Sequence, residues 1–278
     1  MHLQFGLLHD LENCYSSIEA IGMLIRSLKN LVLGLAILPF VWQPASAHVV
    51  WFNYENGEYK LLYGHPEEGP QSYRVSGFRE ANAYDANRQI IPVTISQNED
   101  GISLTANSRV AALTGFYDNG FYARVPGNNY LRISESEIEQ YENVSHNLKY
   151  TKALYDWSKA LGQPFNQQLE IVPLQNPFLV KEGDNLPVQV FYQGNPISDG
   201  LLVEHLGQEV PKGNDGVFNI PIGVEGLQAI EASYDTVLSG TNVTLSYAAS
   251  FTAQKIFEPS ALLGLGVVSL LAIRKKRI

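Results

Sequence analysis

The chain has 278 residues and a formal net charge of −9, with 28 Asp and Glu against 19 Lys and Arg. This length can bury a sizeable core, and the excess of negative charge argues against nucleic acid or anionic lipid as a partner. The single cysteine, Cys14, excludes an intramolecular disulfide and a zinc site built from several thiolates.

The N-terminal residues predict export from the cytoplasm. Two basic residues precede an apolar run over residues 31–42, and the run ends in Ala45-Ser46-Ala47. A positive segment, an apolar core of about a dozen residues and a closing Ala-x-Ala are the parts of a secretory signal peptide. We therefore expect residues 1–47 to be leader and signal, with signal peptidase cutting before His48. Acidic residues ahead of the signal make Met23 an alternative start.

The residues after the signal predict β-structure. Asn56-Gly57 separates the aromatic and β-branched runs 49–54 and 58–63, and this dipeptide predicts a hairpin because both residues tolerate positive φ. A second hairpin is expected around Asp118-Asn119-Gly120, folding residues 110–125 back on themselves. The remaining strand-like runs are residues 90–95, 169–172, 188–192, 201–205, 217–222 and 243–251.

Two segments of the first half differ from the strand pattern. Ser134 and Glu137 fit a capping box, in which each side chain satisfies the other residue's backbone, so a short helix is expected over residues 134–141. Residues 148–157 fit neither the helical nor the strand period, and both alternatives stay open for them. A turn-forming Leu-Gly-Gln-Pro cluster at residues 161–164 ends the first half.

The spacing of the strand-like runs, punctuated by Gly, Asn and Asp, is typical of β-sandwiches. We therefore predict an all-β protein with two β-sandwich domains, residues 48–162 and 163–253. An N-terminal signal helix precedes these domains, and a short C-terminal membrane helix follows them.

The C-terminal residues 254–278 resemble a PEP-CTERM sorting tail. Glu258-Pro259-Ser260 leads into the apolar run 261–273, and the basic residues 274–277 follow. As a helix this run covers about 20 Å, whereas the hydrocarbon core of a bilayer is about 30 Å thick, so the run suits a transient membrane stop. The resemblance implies recognition by an exosortase, and an ordinary membrane anchor is the alternative.

The processed chain, residues 48–258, is more acidic than the whole. It holds 13 Lys and Arg against 25 Asp and Glu, so its net charge is 13 − 25 = −12. It has no cysteine nucleophile, no Gly-x-Ser-x-Gly elbow and no glycine-rich loop that leads into a helix to bind phosphate. We therefore do not expect an enzyme.

The second half carries an ordered series of short motifs. They are residues 169–174 (LEIVPL), 176–178 (NPF), 182–184 (EGD), 193–196 (QGNP), 214–218 (NDGVF) and 220–222 (IPI). With His48, Trp51 and Gly64-His65-Pro66, the series resembles the NikM-type family of bacterial exported proteins, often described as periplasmic components of cobalt/nickel uptake systems. The resemblance spans residues 47–235. It implies an immunoglobulin-like or transthyretin-like second domain, a Ni²⁺ or Co²⁺ ligand and a metal-transport permease as partner.

His48 is the first candidate metal ligand. Signal cleavage would make it the N-terminal residue, so its α-amine and one ring nitrogen could chelate a single metal ion in one ring. Together with another imidazole, such a chelate suits Cu²⁺ or Ni²⁺. The alternative is that His48 is simply the residue that follows the signal.

Three other histidines remain after both ends are removed. His65 is fixed between Gly and Pro, and Glu67 and Glu68 follow it closely, so it could be a ligand with carboxylates beside it or part of a solvated turn. His146 is a candidate ligand only by the family resemblance. His205 lies in a strand-like run and is expected to be a packed residue.

The sequence therefore predicts an exported envelope protein that binds a divalent transition metal through His48, His65 and His146. Nickel or cobalt follows from the resemblance, as does an accessory role in metal uptake. The alternative is a structural, adhesive or glycan-binding matrix protein associated with exopolysaccharide, because exposed Tyr and Phe could stack on sugars. Such a protein would act in the periplasm, at the outer envelope or outside the cell.

Overall fold

The computed structural model describes residues 48–127 and 129–256, which form 18 strands and two short 3₁₀ helices. The strands are β1 Val49–Glu55, β2 Glu58–His65, β3 Gly69–Pro70, β4 Phe78–Tyr84, β5 Ile90–Ile91, β6 Val93–Asn98, β7 Gly101–Ala106, β8 Ala112–Val125, β9 Asn129–Ile133, β10 Val144–Leu154, β11 Leu169–Pro173, β12 Asn185–Tyr192, β13 Asn195–Ile197, β14 Leu201–His205, β15 Gln208–Glu209, β16 Phe218–Pro221, β17 Ile230–Val237 and β18 Val243–Ala253. The 3₁₀ helices are Val75–Gly77 and Glu135–Gln140. The prediction of an all-β protein is confirmed.

The predicted signal and the predicted sorting tail, from residue 257 onward, lie outside the described residues. Within the part of the chain that the structure describes, no helix has the length and apolar character needed to cross a bilayer.

A nine-stranded sheet, here called sheet B, is the centre of the fold. Its strand order is β15-β14-β17-β18-β10-β8-β4-β5, and β9 pairs with β8. β10 and β18 pair in parallel from Val144 opposite Val243 to Leu154 opposite Ala253. Strands from both sides of the boundary predicted at residues 161–164 therefore hydrogen-bond within one sheet.

Two smaller sheets cover opposite faces of sheet B. Sheet A contains β1, β2, β7, β6 and β3, and sheet C contains β11, β12, β13 and β16. On the sheet A face, the Ser250 hydroxyl of β18 donates a hydrogen bond to the carbonyl oxygen of Val50 in β1, at 2.5 Å. On the other face, Lys152 of β10 pairs with Glu170 of β11. Because side chains alternate between the faces of a strand, Thr151 and Lys152 point to different neighbouring sheets.

The larger apolar core lies between sheets B and C. It joins fully buried residues of sheet C, among them Ile171 and Leu186, to Phe251 and Ala249 of sheet B. Residues 163–253 supply all of sheet C and four strands of sheet B, so they broadly match the predicted sandwich. Its immunoglobulin-like character stays a prediction.

The first predicted hairpin is confirmed, and the second is wrong. β1 and β2 pair up to Glu55 opposite Glu58, with Asn56 and Gly57 at positive φ in the turn. β8, by contrast, continues straight through residues 118–120. The residues Asp118 and Gly120 face consecutive residues of β10, so Asn119 is the extra residue of a β-bulge. A bulge of this kind accommodates a glycine at positive φ, here +84°, as a tight turn does.

The short helix is confirmed as a 3₁₀ helix, Glu135–Gln140. The Glu137 carboxylate accepts a hydrogen bond from the Ser134 backbone N–H at 2.8 Å, as the predicted capping box requires. Of the undecided residues 148–157, residues 148–154 form the end of β10 and the last three lie beyond the strand. The predicted strand 90–95 divides at Pro92, since proline cannot donate to a ladder, and its two parts join different sheets.

Candidate metal centre

Three potential metal ligands meet where sheet A ends over sheet B. His65 is the last residue of β2, Glu67 lies in the turn that follows, and Glu231 lies on β17. One ligand atom from each of the three lies within 4.8 Å of the others. We call this group the His65 cluster. Glu231 faces sheet A because it stands opposite Ser250, the residue that hydrogen-bonds to β1.

Two atoms of the His65 cluster are buried without a hydrogen-bond partner among the described residues. They are His65 Nδ1 and Glu231 Oε2. Leaving a buried polar atom unsatisfied costs about 1–3 kcal/mol, so most such atoms in folded proteins have a partner. A bound cation would satisfy both atoms at once.

Burial also changes the protonation of the cluster. It raises the pKa of the Glu231 carboxyl to about 8; the nearby Glu67 and Glu204 carboxyls add to the rise, and Lys149 opposes it. Glu204 stands directly opposite Glu231 in the pairing of β14 with β17. Three carboxyl groups therefore crowd one site, and such a site attracts a cation.

His48 lies beside the His65 cluster. The centroids of the His48 and His65 rings are 4.5 Å apart, and His48 also stacks on Tyr63 at 5.3 Å. His48 Nε2 is 3.0 Å from Gln71 Oε1. With that oxygen as acceptor, Nε2 carries the hydrogen and Nδ1 keeps its lone pair. Burial lowers the pKa of His48, and neighbouring His65 lowers it further, which favours the neutral ring that a metal needs.

Lys149 of β10 supplies a positive charge to the same region. Its side chain is buried, and its Nζ donates a hydrogen bond to the backbone carbonyl oxygen of His48. Burial lowers the pKa of the Lys149 ammonium to about 8, and the nearby Glu231 limits this fall. Lys149 therefore fixes the backbone of His48 and lies close to the Glu231 carboxyl.

Comparison with known proteins places these residues in a defined domain. The domain of unknown function DUF4198 matches residues 40–236 of the chain. The chain belongs to the DUF4198 family. A protein of Haemophilus influenzae, described as an uncharacterized protein, is 23% identical over 195 residues, which are 69% of this chain and 79% of that protein. The DUF4198 match includes His48 and the whole His65 cluster. The NikM-type resemblance and the PEP-CTERM tail stay predictions.

Two of the three predicted ligands come together in the DUF4198 domain, and the third does not. His146 Nε2 lies 2.9 Å from Asp118 Oδ1, and its ring stacks on Phe121 at 4.0 Å. His146 and Lys149 are an odd number of residues apart on β10, so their side chains lie on opposite faces of sheet B. His146 is therefore separated from the His65 cluster by the sheet.

His205 is packed in the interior, in accord with its expected role. Its side chain is 4% exposed, and burial lowers its pKa. In the pairing of β14 with β17 it stands opposite Ile230, on the face away from Glu231. Its Nε2 has no hydrogen-bond partner among the described residues.

Sequence reasoning missed Glu231 and Lys149. Both are charged residues inside strands whose neighbours are apolar: Glu231 follows Ala229 and Ile230, and all three are buried. The available signal was a charged residue with apolar neighbours on both sides, because such a position in a strand is often buried and charges are seldom buried without a partner. No pattern in the sequence indicates that Glu231 meets residues near position 65.

Proposed function

We propose that this DUF4198 protein is a non-catalytic binding protein of the cell envelope that holds a divalent transition-metal ion at the His65 cluster. One observation carries the proposal: one ligand atom each of His65, Glu67 and Glu231 lie within 4.8 Å of one another, in a group where His65 Nδ1 and Glu231 Oε2 are buried and have no hydrogen-bond partner among the described residues. An imidazole with carboxylates is a donor set that suits borderline metals such as nickel and cobalt. The family resemblance favours the same two ions.

His48 extends the proposed donor set. Its Nδ1 is the ring nitrogen that can close a chelate ring with the α-amine of the same residue, and the Gln71 contact leaves that nitrogen without a hydrogen. Export and removal of residues 1–47 would create this amine. A site with His48 in this form would bind Cu²⁺ or Ni²⁺ more tightly than a site without it.

The arrangement of aromatic side chains gives less support to a glycan-binding role. Of the aromatic residues in the described part of the chain, Tyr130 alone is exposed. The others pack in cores or in partly buried clusters, such as Tyr59 with Tyr155 at 4.9 Å. A sheet face that stacks on sugars needs several exposed rings. Metal binding, with an accessory role in uptake beside a permease, is therefore the function we favour.

The test is a calorimetric titration of the exported protein with Ni²⁺, Co²⁺ and Cu²⁺, after mass spectrometry has identified its N-terminal residue. We expect the wild type to bind at least one ion with a Kd below about 100 μM. His65→Ala and Glu231→Gln are each expected to weaken binding at least about tenfold, since each removes a ligand.

His146→Ala is the matched control, because it removes an imidazole from the opposite face of sheet B. It is expected to leave the affinity unchanged. The proposal fails if no ion binds in this range, or if His65→Ala binds as the wild type does.

A further inference from the structure

Lys149 is a buried charge beside the metal centre that the proposed donor set does not use. The residue is only 4% exposed. It lies in the middle of β10, which pairs with β18 on one side and with β8 on the other, so its backbone is held by two neighbouring strands. Burying an ammonium group is costly unless the group has polar partners. The partners of Lys149 therefore show what this buried charge does.

The ammonium group of Lys149 contacts the surroundings of His48 in two ways. Its Nζ donates a hydrogen bond to the backbone carbonyl oxygen of His48. The same Nζ lies 5.7 Å from the centroid of the Tyr63 ring, on which the His48 ring stacks. The Glu231 carboxyl is also near enough to act on the Lys149 charge. One buried side chain therefore holds the backbone of one proposed ligand and lies near a second ligand.

The ring and the backbone of His48 are held by separate contacts. The ring is fixed by the 3.0 Å contact between Nε2 and Gln71 Oε1 and by the stack on Tyr63. On the backbone, the next residue, Val49, is 1% exposed and stands opposite Gly64 in the pairing of β1 with β2. The hydrogen bond from Lys149 then fixes the carbonyl group between His48 and Val49.

These contacts determine where the His48 nitrogen lies. The Cα atom is tetrahedral, with fixed bond lengths and angles, so the positions of its Cβ and of its carbonyl carbon leave one position for the nitrogen. After cleavage before His48 this nitrogen is the α-amine. Its position relative to ring Nδ1 is then set before a metal ion arrives. A chelating pair that is already in place loses less conformational entropy on binding.

We propose that Lys149 is a positioning residue of the metal centre: its hydrogen bond to the His48 carbonyl oxygen holds the α-amine and Nδ1 of His48 in the arrangement that chelates one ion. This inference rests on the proposed function and on cleavage before His48. The other role open to Lys149 is that of a counter-ion to Glu231. Such a counter-ion acts through its charge and does not need the His48 amine.

The test measures Cu²⁺ affinity by calorimetry at pH 7 in four proteins. They are the exported protein with His48 as its first residue, a form that keeps Ala47, and the Lys149→Met variant of each. Without the variant, the free amine is expected to give about tenfold tighter binding than the Ala47 form. In Lys149→Met this advantage is expected to fall to about threefold or less, because ordering one group costs a few-fold in affinity.

The comparison of the two N-terminal forms separates the two roles of Lys149. A counter-ion changes the affinity of both forms by the same factor, so the tenfold advantage of the free amine would persist in Lys149→Met. Lys60→Met is the matched control, since Lys60 is exposed, pairs with Glu55 and loses the same charge. It is expected to keep the tenfold advantage.

A crystal structure of the exported protein with Cu²⁺ gives a second reading that needs no variant. Lys149 Nζ is expected within hydrogen-bond distance of the His48 carbonyl oxygen while the α-amine and Nδ1 bind the ion. The inference is overturned if Lys149 has left that oxygen, or if Lys149→Met keeps the tenfold advantage. Either result leaves the proposed function standing as long as both N-terminal forms bind the ion. No binding by either form overturns the proposed function, and this inference with it.

Discussion

Replacing Glu231 by glutamine is expected to stabilise the metal-free protein while weakening its metal affinity. In the folded protein the pKa of Glu231 is about 8, against an ordinary value of 4.5, because burial disfavours its charge. At a pH between these two pKa values, the Glu231 carboxyl keeps its proton in the folded state and has released it in the unfolded state. The free energy of unfolding therefore falls as pH rises through this window, by up to about 1.4 kcal/mol per pH unit.

Glutamine cannot titrate, so the variant lacks this fall. We expect the stability of Glu231→Gln relative to the wild type to rise by about 3 kcal/mol between pH 5 and pH 8. In the variant, the buried Lys149 loses a favourable neighbour. Where Lys149 stays charged, this loss changes the stability difference between variant and wild type by a constant amount. The pH dependence of that difference is therefore the decisive quantity. The exposed Glu225→Gln controls for the loss of one negative charge.

The assay is urea unfolding followed by circular dichroism at pH 5, 6, 7 and 8, without metal and with saturating Ni²⁺. With nickel the advantage of the variant is expected to shrink, because an ion at about 100 times its Kd adds about 2.7 kcal/mol to the wild type and less to a variant that binds the ion more weakly. A stability difference that stays constant from pH 5 to pH 8 would refute the reasoning about burial.

Three further perturbations test the fold and the site. Lys152→Met leaves the fully buried carboxylate of Glu170 without the ammonium that now lies 2.8 Å from it. The free energy of unfolding in urea is expected to fall by about 3–5 kcal/mol, and adding Glu170→Gln should restore part of that loss. Gly77→Ala places a Cβ 2.5 Å from Tyr117 Cζ and is expected to lower stability by about 1–3 kcal/mol, seen as a lower Tm. A protein that keeps Ala47 ahead of His48 has an amide in place of the amine, so its Cu²⁺ affinity in calorimetry should fall about tenfold. The first expectation is contradicted if Glu170→Gln restores none of the stability lost in Lys152→Met. An unchanged Tm contradicts the second, and an unchanged Cu²⁺ affinity contradicts the third.

Local patterns of the sequence predicted local structure well. Asn56-Gly57 predicted its hairpin because the conformational freedom of two residues decides the turn. The same reasoning failed at Asn119-Gly120, since a bulge and a turn both use a glycine at positive φ. Only the partner strand β10, which pairs with residues 112–123 of β8 on both sides of the bulge, decides between these outcomes.

The candidate site divides in the same way. His48 and His65 are joined by a single hairpin, so the sequence could suggest that they meet. Glu231 reaches them only because β17 lies in sheet B beneath the end of sheet A, an arrangement of three sheets that no local pattern encodes. His146 was proposed from the resemblance, and the alternation of side chains on β10 places it on the other face.

Anomalous diffraction at the nickel absorption edge, from crystals of the exported protein grown with Ni²⁺, tests the central claim most directly. The account predicts a peak about 2.0–2.2 Å from His65 Nδ1 and from a Glu231 oxygen, the ordinary range for nitrogen and oxygen ligands of such metals. A peak at His146 and Asp118, or no peak at the His65 cluster, would contradict it.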